Sequence, residues 1–313
     1  MSVTATPPAR PRCADIAEAA GDPLEGTAPP AEQWFLVEHP GPWDRYVLAD
    51  PRFDRAAASA LDGWARAETG RVLFVRRPRR GDRTPERRRW FRVDSRPGRE
   101  SVRTGLFAHE RDLVDVVADP DAGEPDDGPL FVVCTHGRHD TCCAVRGRPL
   151  AAALAADHPD RTWEASHLGG CRFAAAMVLL PHGIVLGGVP SADAPEVALR
   201  YTKGLLPTGW VRGRASLSPA VQAAQHHARL ATGAHGVDAL VPTGVRVDGP
   251  GSWRVSFADP DVVVVLTERR VDTGRPLTCA ATVPGWMRVF ELADVGPATP
   301  APYRPDAPVS RSP

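Results

Sequence analysis

From about residue 33 onward the apolar positions of the chain fall into short runs of two kinds. Residues 34–38 and 71–75 are compact apolar runs of strand length, and residues 90–93 and 106–107 extend the series. Between the first two, residues 55–67 place apolar side chains at helical spacing and predict an amphipathic helix. The pattern then resumes with strands over 130–134, 162–166 and 183–187 and helices over 149–156, 172–179 and 195–203. Pro149 suits a first helical turn, which needs no amide donor, and Gly183 lets the chain turn back after Pro181. Ser218, Pro219 and an alanine-rich run predict a helix reaching residue 230. After Gly233 the texture changes to strands over 244–247, 253–257, 262–266 and 287–292, of which the continuous Val-Val-Val-Val-Leu run suits a strand buried on both faces. Alternation of this kind predicts the α/β class, with a sheet covered by helices.

The same pattern divides the chain. Residues 1–32, rich in Pro, Ala and Asp, read as a flexible arm, within which Cys13 is an incidental free thiol. An α/β unit over 33–118 is followed by a stretch, 119–128, with no large apolar residue to anchor an element, and this is the expected boundary. A second α/β unit spans 129–232, a β-rich appendage 233–296, and a disordered tail 297–313. No repeat of useful length is visible.

Composition narrows the function classes. The 313 residues are 42% hydrophobic and 24% charged, as in globular proteins with a sizeable core. Acidic and basic residues balance at 38 each, so no global basic field recruits nucleic acid or an anionic membrane. The arginines between 76 and 89 read as a solvated loop between strands, with docking of an acidic redox partner as the other reading. There is neither an apolar run of about 18 residues nor a secretory signal pattern, and the expected compartment is the cytoplasm. Thiols stay reduced there, so clustered cysteines are expected to serve as metal ligands or redox centres.

Four of the six cysteines lie between residues 131 and 176. Cys134 and Cys143 stand nine positions apart after one predicted strand; His167 and Cys171 stand four apart after the next. Two ligand pairs behind consecutive strand ends make a metal site, and Gly169-Gly170 lets the backbone wrap closely around it. The Cys142-Cys143 doublet offers two candidates for one position, and His136 and His139 are further imidazoles in the same loop. Arg138 and Asp140 brace that loop; Arg172 either neutralises the site or lies on a helix surface. A structural zinc site of Cys3His type uses the same donors, although nine positions exceed the usual zinc spacing. A thiol–disulfide oxidoreductase would normally carry C-x-x-C, which is absent. Cys279 reads as a core thiol and His226-His227 as solvent-facing. No phosphate-binding loop and no carboxylate pair suited to glycoside hydrolysis can be nominated.

C-T-H-G-x-x-D-x-C-C-A over 134–144, R-G-R-P-L over 146–150 and H-L-G-G-C-R-F-A-A over 167–175 resemble the sucrase/ferredoxin-like family of thioredoxin-like 2Fe-2S ferredoxins. G-T-A-P over 26–29, L-V-E-H-P-G-P-W over 36–43 and V-R-G-R-A-S from Val211 extend the resemblance over most of the chain. It implies a thioredoxin-like ferredoxin domain in the second unit, preceded by the first α/β unit. It also implies one 2Fe-2S cluster on Cys134, Cys143, His167 and Cys171, Cys143 being favoured by the family's D-x-x-C spacing, and electron transfer to a redox partner protein; a carrier without turnover is the first reading, and catalysis stays open. One imidazole among the ligands implies a potential above that of all-cysteine clusters, with coupled proton uptake.

Overall fold

The computed structural model describes residues 11–78 and 86–297. Most of the expected disordered tail, the first ten residues of the arm and the centre of the arginine-rich loop lie outside the described residues. The chain begins with α1 (Cys13–Ala19) and continues through β1 (Gln33–Glu38), α2 (Arg55–Ala67), β2 (Gly70–Arg76), β3 (Arg88–Asp94), β4 (Ser101–Phe107), α3 (Leu113–Ala118) and the short β5 (Glu124–Pro125). The second unit contains β6 (Leu130–Cys134), α4 (Thr141–Asp157), β7 (Thr162–Ala165), β8 (Met177–Leu180), β9 (Ile184–Leu186), α5 (Ala194–Thr202), β10 (Val211–Arg214) and α6 (Pro219–Thr232). A four-stranded antiparallel meander closes the chain: β11 (Val241–Val247), β12 (Ser252–Ala258), β13 (Val262–Asp272) and β14 (Trp286–Gly296).

Strands β1 to β10 form one sheet in the order β10-β9-β8-β6-β7-β2-β1-β3-β4-β5. Within it the same unit occurs twice. In β1–α2–β2–β3–β4 the first strand is parallel to the second and antiparallel to the third, and the third is antiparallel to the fourth. β6–α4–β7–β8–β9 repeats each of these relations. Both units thus share one β-α-β-β-β arrangement. The duplication lies in topology, which is why no sequence period betrays it.

The units that the sequence pattern separates are joined edge to edge by β2 and β7, which pair antiparallel at Val75↔Ala165 and Arg76↔Glu164. At this seam the buried Arg76 guanidinium donates to Glu164 Oε2 through Nε at 2.7 Å, with Nη2 2.6 Å from the same oxygen. Arg76 is therefore a buried partner of the second unit, not part of a solvated loop. Because the pairing involves only the C-terminal ends of β2 and β7, the loops that follow β1 and β6 meet over the seam. Trp43 packs edge-on against His136, with ring centroids 5.8 Å apart.

Several local expectations are corrected. Residues 13–19 are helical, and Cys13, Ala14 and Ala17 are buried, so this part of the arm is packed. It is held by Arg146, which reaches Asp15 at 2.6 Å and Glu18 at 2.8 Å. Helix α4 starts eight residues before Pro149, because Asp140 caps it, accepting the Cys142 amide at 3.0 Å. Pro149 then lies inside the helix, which forgoes one internal hydrogen bond there. The helix expected over 172–179 is absent: Met177–Leu180 form β8, antiparallel to β6, and the Cys134 amide donates to the Ala176 carbonyl at 2.9 Å, so sheet pairing overrides the strong helical preference of the alanines at 174–176. In β13, Val262, Val264 and Leu266 are buried, while Val263 and Val265 are half-buried. The meander thus packs one face, against α6, rather than two.

Candidate metal centre

Strand β6 delivers Cys134 to the top of the seam, and the loop 135–140 returns into α4, whose first turn carries Cys142 and Cys143. Their side chains diverge, as successive residues on a helix must. Cys143 joins Cys134 and His167 in one group of donor atoms all within 4.8 Å of one another. His167 follows β7 by two residues and belongs also to a second such group, with His139 and Cys171. Cys171 Sγ stands 3.6 Å from His167 Nδ1 and 3.9 Å from His139 Nδ1. The structure therefore brings together all four residues that the resemblance nominates, on two overlapping groups that share His167.

The linking backbone is shaped for this. Gly169 and Gly170 adopt φ of +98° and +75°, in the left-handed region that side chains disfavour. A methyl group on Gly169 would come within 2.7 Å of Pro29, and one on Gly170 within 2.9 Å of the Arg212 guanidinium carbon. His136, ranked below His167 on sequence, is buried and accepts the His167 amide at Nδ1, 3.2 Å away, so it fixes the backbone of its neighbour. His139 stacks on His167, with centroids 3.5 Å apart and planes 12° from parallel.

Charge at the site is organised around thiolates. Cys134 is lowered well below the usual thiol range, first by the Cys143 thiol donating to it and then by His167, against its own burial. Cys143, the donor of that shared proton, is correspondingly raised. Cys171 is lowered to about 7 by Cys143 and His167, against its burial. Burial would lower His167, but the Cys134 and Cys171 sulfurs outweigh it and raise the imidazole to about 9. His139, desolvated and facing His167, falls to about 4 and is neutral at pH 7. Metal binding at such a set displaces protons from His167 and Cys143.

Two arginines that no sequence feature nominates as site residues surround this group. Arg212 is 1% exposed and donates from Nη1 to the Gly169 carbonyl at 3.0 Å and from Nε to Thr27 Oγ1 at 3.0 Å. Burial, with repulsion from Arg172 and Arg71, lowers it to about 9, while the Cys171 and Cys134 sulfurs pull the other way. Arg71 Nε is buried without a hydrogen-bond partner. Positive charge is thus stored, only partly compensated, beside three sulfurs, which fits an anionic thiolate-bound group. Arg172 does neither of the things expected of it: it pairs with Asp22 at 3.1 Å and lies over Phe173.

A further group of thiols carries no motif that marks it in the sequence. Cys13, Cys142 and Cys279 meet beside Asp140, on the other side of the α4 start. The one signal for it was arithmetic: the nominated ligand set uses only three of the six cysteines.

The sucrase/ferredoxin-like family model matches residues 24–213, well over half of the chain. The chain belongs to this family. The match includes both topological repeats and all four nominated residues and ends at Gly213 in β10, short of α6 and the meander. No curated protein and no solved structure matches the chain. Among the described residues no helix is long and apolar enough to cross a membrane.

Proposed function

We propose that this family member is a one-electron carrier whose 2Fe-2S cluster is held by Cys134, Cys143, His167 and Cys171. The observation that carries the reading is the spread of the donors. Cys171 touches Cys143 and His167 but falls outside the group formed by Cys134, Cys143 and His167, so the four donor atoms do not all lie within 4.8 Å of one another. Donors strung out in this way suit two metal atoms better than one. Three sulfurs and an imidazole are soft donors of the right kind, and Arg71 and Arg212 balance their negative charge.

When bound, the cluster supplies reversible one-electron chemistry at a potential raised by exchanging one thiolate for a neutral imidazole. The protein's part is positioning and charge. Gly169 and Gly170 bend the chain around the donors, His136 anchors the His167 amide, and Arg212 ties the bend to Thr27. His167 keeps one ring nitrogen free to hold a proton, which links the potential to pH. The loop after β1 covers the site through Trp43, while exposed Tyr46, beside half-buried His139, offers a surface for a redox partner protein. The divergence of Cys142 and Cys143 supports Cys143 as the ligand and weighs against a working dithiol in the doublet.

Protein purified without oxygen is expected to be brown, with iron and sulfide in equal amounts and a reduction potential that falls by about 59 mV per pH unit where His167 titrates. Cys143→Ser should bleach it and Cys142→Ser should not. A colourless protein carrying zinc on these four residues would replace the reading with a structural zinc site. A metal-free protein with a titratable dithiol would replace it with a thiol oxidoreductase.

A further inference from the structure

The three cysteines left over by this reading are not scattered. Cys13 Sγ lies 3.6 Å from Cys142 Sγ, Cys142 Sγ 3.3 Å from Cys279 Sγ, and Cys279 Sγ 3.5 Å from Cys13 Sγ. They come from α1, from the first turn of α4 and from the connection between β13 and β14, so only the tertiary structure unites them. We propose that Cys13, Cys142 and Cys279, with Asp140, form a second metal site, one that holds a single zinc ion.

The centre of the sulfur triangle is about 2.0 Å from each corner, so an ion at the usual zinc–thiolate distance of about 2.3 Å stands about 1.1 Å out of its plane, the apex of a flattened pyramid. That leaves a fourth position for an oxygen donor. Asp140 is the candidate: its Oδ1 and Oδ2 stand 3.8 and 3.7 Å from Cys13 Sγ, and one of its oxygens lies within 4.8 Å of all three sulfurs. The carboxylate is oriented by two amides, Oδ1 accepting from Cys142 at 3.0 Å and Oδ2 from Cys279 at 2.9 Å. Each oxygen keeps a lone pair for a cation, and holding a ligand through its other hydrogen bonds is how such sites are tuned.

Two other uses of the cysteines fit less well. A disulfide joins only two sulfurs, at about 2.05 Å, and leaves the third with no role. A two-iron cluster needs donors spread over two metals, as at the neighbouring site, whereas these sulfurs have the spacing of one coordination sphere. Three thiolates with one carboxylate select a thiophilic divalent ion of tetrahedral habit, which is zinc. A cavity of about 260 Å³, lined by Cys13, Thr141, Pro276 and Cys279, opens onto the site and gives an ion its path in. On binding, the thiols release their protons to solvent.

The consequence is a staple. Zinc here would fasten the N-terminal helix and the β13–β14 connection to the start of α4, next to Cys143. Both segments already lean on Asp22, which pairs with Arg172 and with Arg275. The proposal is independent of the cluster reading, since it uses none of the same donor sulfurs or imidazoles.

The test is metal analysis of full-length protein produced in zinc-replete medium. Wild type should carry one zinc per chain, and Cys13→Ser and Cys279→Ser should each lose at least nine-tenths of it while keeping iron, sulfide and visible colour. Should a variant fold poorly, wild-type protein reloaded with cobalt(II) should show intense thiolate-to-cobalt charge-transfer bands and the visible bands of tetrahedral cobalt. Zinc retained in full by the Cys13→Ser, Cys279→Ser double variant would overturn the proposal. So would wild-type protein that takes up neither zinc nor cobalt, a Cys142–Cys279 disulfide in freshly isolated protein, or loss of iron rather than zinc from Cys279→Ser. Conversely, absence of iron with zinc present and sensitive to Cys13 would sink the electron-carrier reading and leave this site standing.

Discussion

Gly147 sits in α4 one turn beyond Cys143, buried against the end of β6. A methyl group there would overlap the Cys134 carbonyl oxygen and come within 3.1 Å of its carbonyl carbon. A backbone carbonyl at a strand end cannot rotate aside as a flexible side chain can, so the helix must retreat by roughly 1 Å to restore contact distance. Overpacking of this kind costs about 1–3 kcal/mol, whereas the better helix propensity of alanine returns about 1 kcal/mol. Since the obstacle is backbone, the upper end of the range applies, and Gly147→Ala should lower stability by about 2 kcal/mol. The same retreat carries Cys143 away from Cys134, so cofactor should be lost in proportion. Gly63, in the middle of α2, supplies the control, because a methyl group there meets nothing within 4 Å. Gly63→Ala should therefore stabilise by about 1 kcal/mol. Urea unfolding followed by circular dichroism reads both changes, and iron content with the visible spectrum reads the site. If Gly147→Ala unfolds at or above the parental midpoint with full iron, the approach of α4 to β6 does not set the Cys134–Cys143 spacing and the reasoning fails.

Arg212→Met should strand the Gly169 and Thr27 carbonyls that its guanidinium now satisfies, cost about 2–3 kcal/mol by urea unfolding, and reduce iron retention. In whatever fraction keeps its colour, removal of a buried positive charge should make the reduction potential more negative; an unchanged potential would show that Arg212 serves the bend alone. Asp50 is lowered from 3.8 to about 2, chiefly by its hydrogen bond to Arg52. A carboxylate lowered on folding adds stability above its unfolded value and loses it as pH falls through the folded one. Because the Arg52 side chain is 49% exposed, the contribution is discounted to about 1 kcal/mol. The stability gap between parent and Asp50→Asn should hold near neutrality and close between about pH 4 and pH 2, as acid titration by circular dichroism would show.

Much of this protein was legible in the order of its residues. Helix α2 was found to the residue, because its amphipathic period and bounding turns are local properties. α6 was expected from Ser218 and Pro219, and β1, β2 and the strands of the meander from apolar runs of the right length. The ligand candidates could be named for the same reason: each pair sits at the end of a local element, and a family motif covers both. Failures came where a distant partner decides the outcome. The alanines at 174–176 favour helix in isolation and lead instead into β8, because β6 offers a strand edge to pair with. Pro149 marked a false start for α4, since the real one depends on the Asp140 cap upstream. No sequence period could disclose that two units share one topology, because the relation is carried by strand order and direction and not by side-chain identity.

The tertiary structure alone decided the neighbourhood of the thiols. Cys13 and Cys279 are separated by 266 positions and meet only because α1 folds onto the second unit while the β13–β14 connection reaches back across it. Arg71 stands in no motif and Arg212 in one, V-R-G-R-A-S, that assigns it no role, yet burial makes their charges count at the site. Local sequence specifies which side chains can take part in chemistry; which of them share a low-dielectric volume is set by long-range packing, and the strength of their mutual electrostatics follows from that volume.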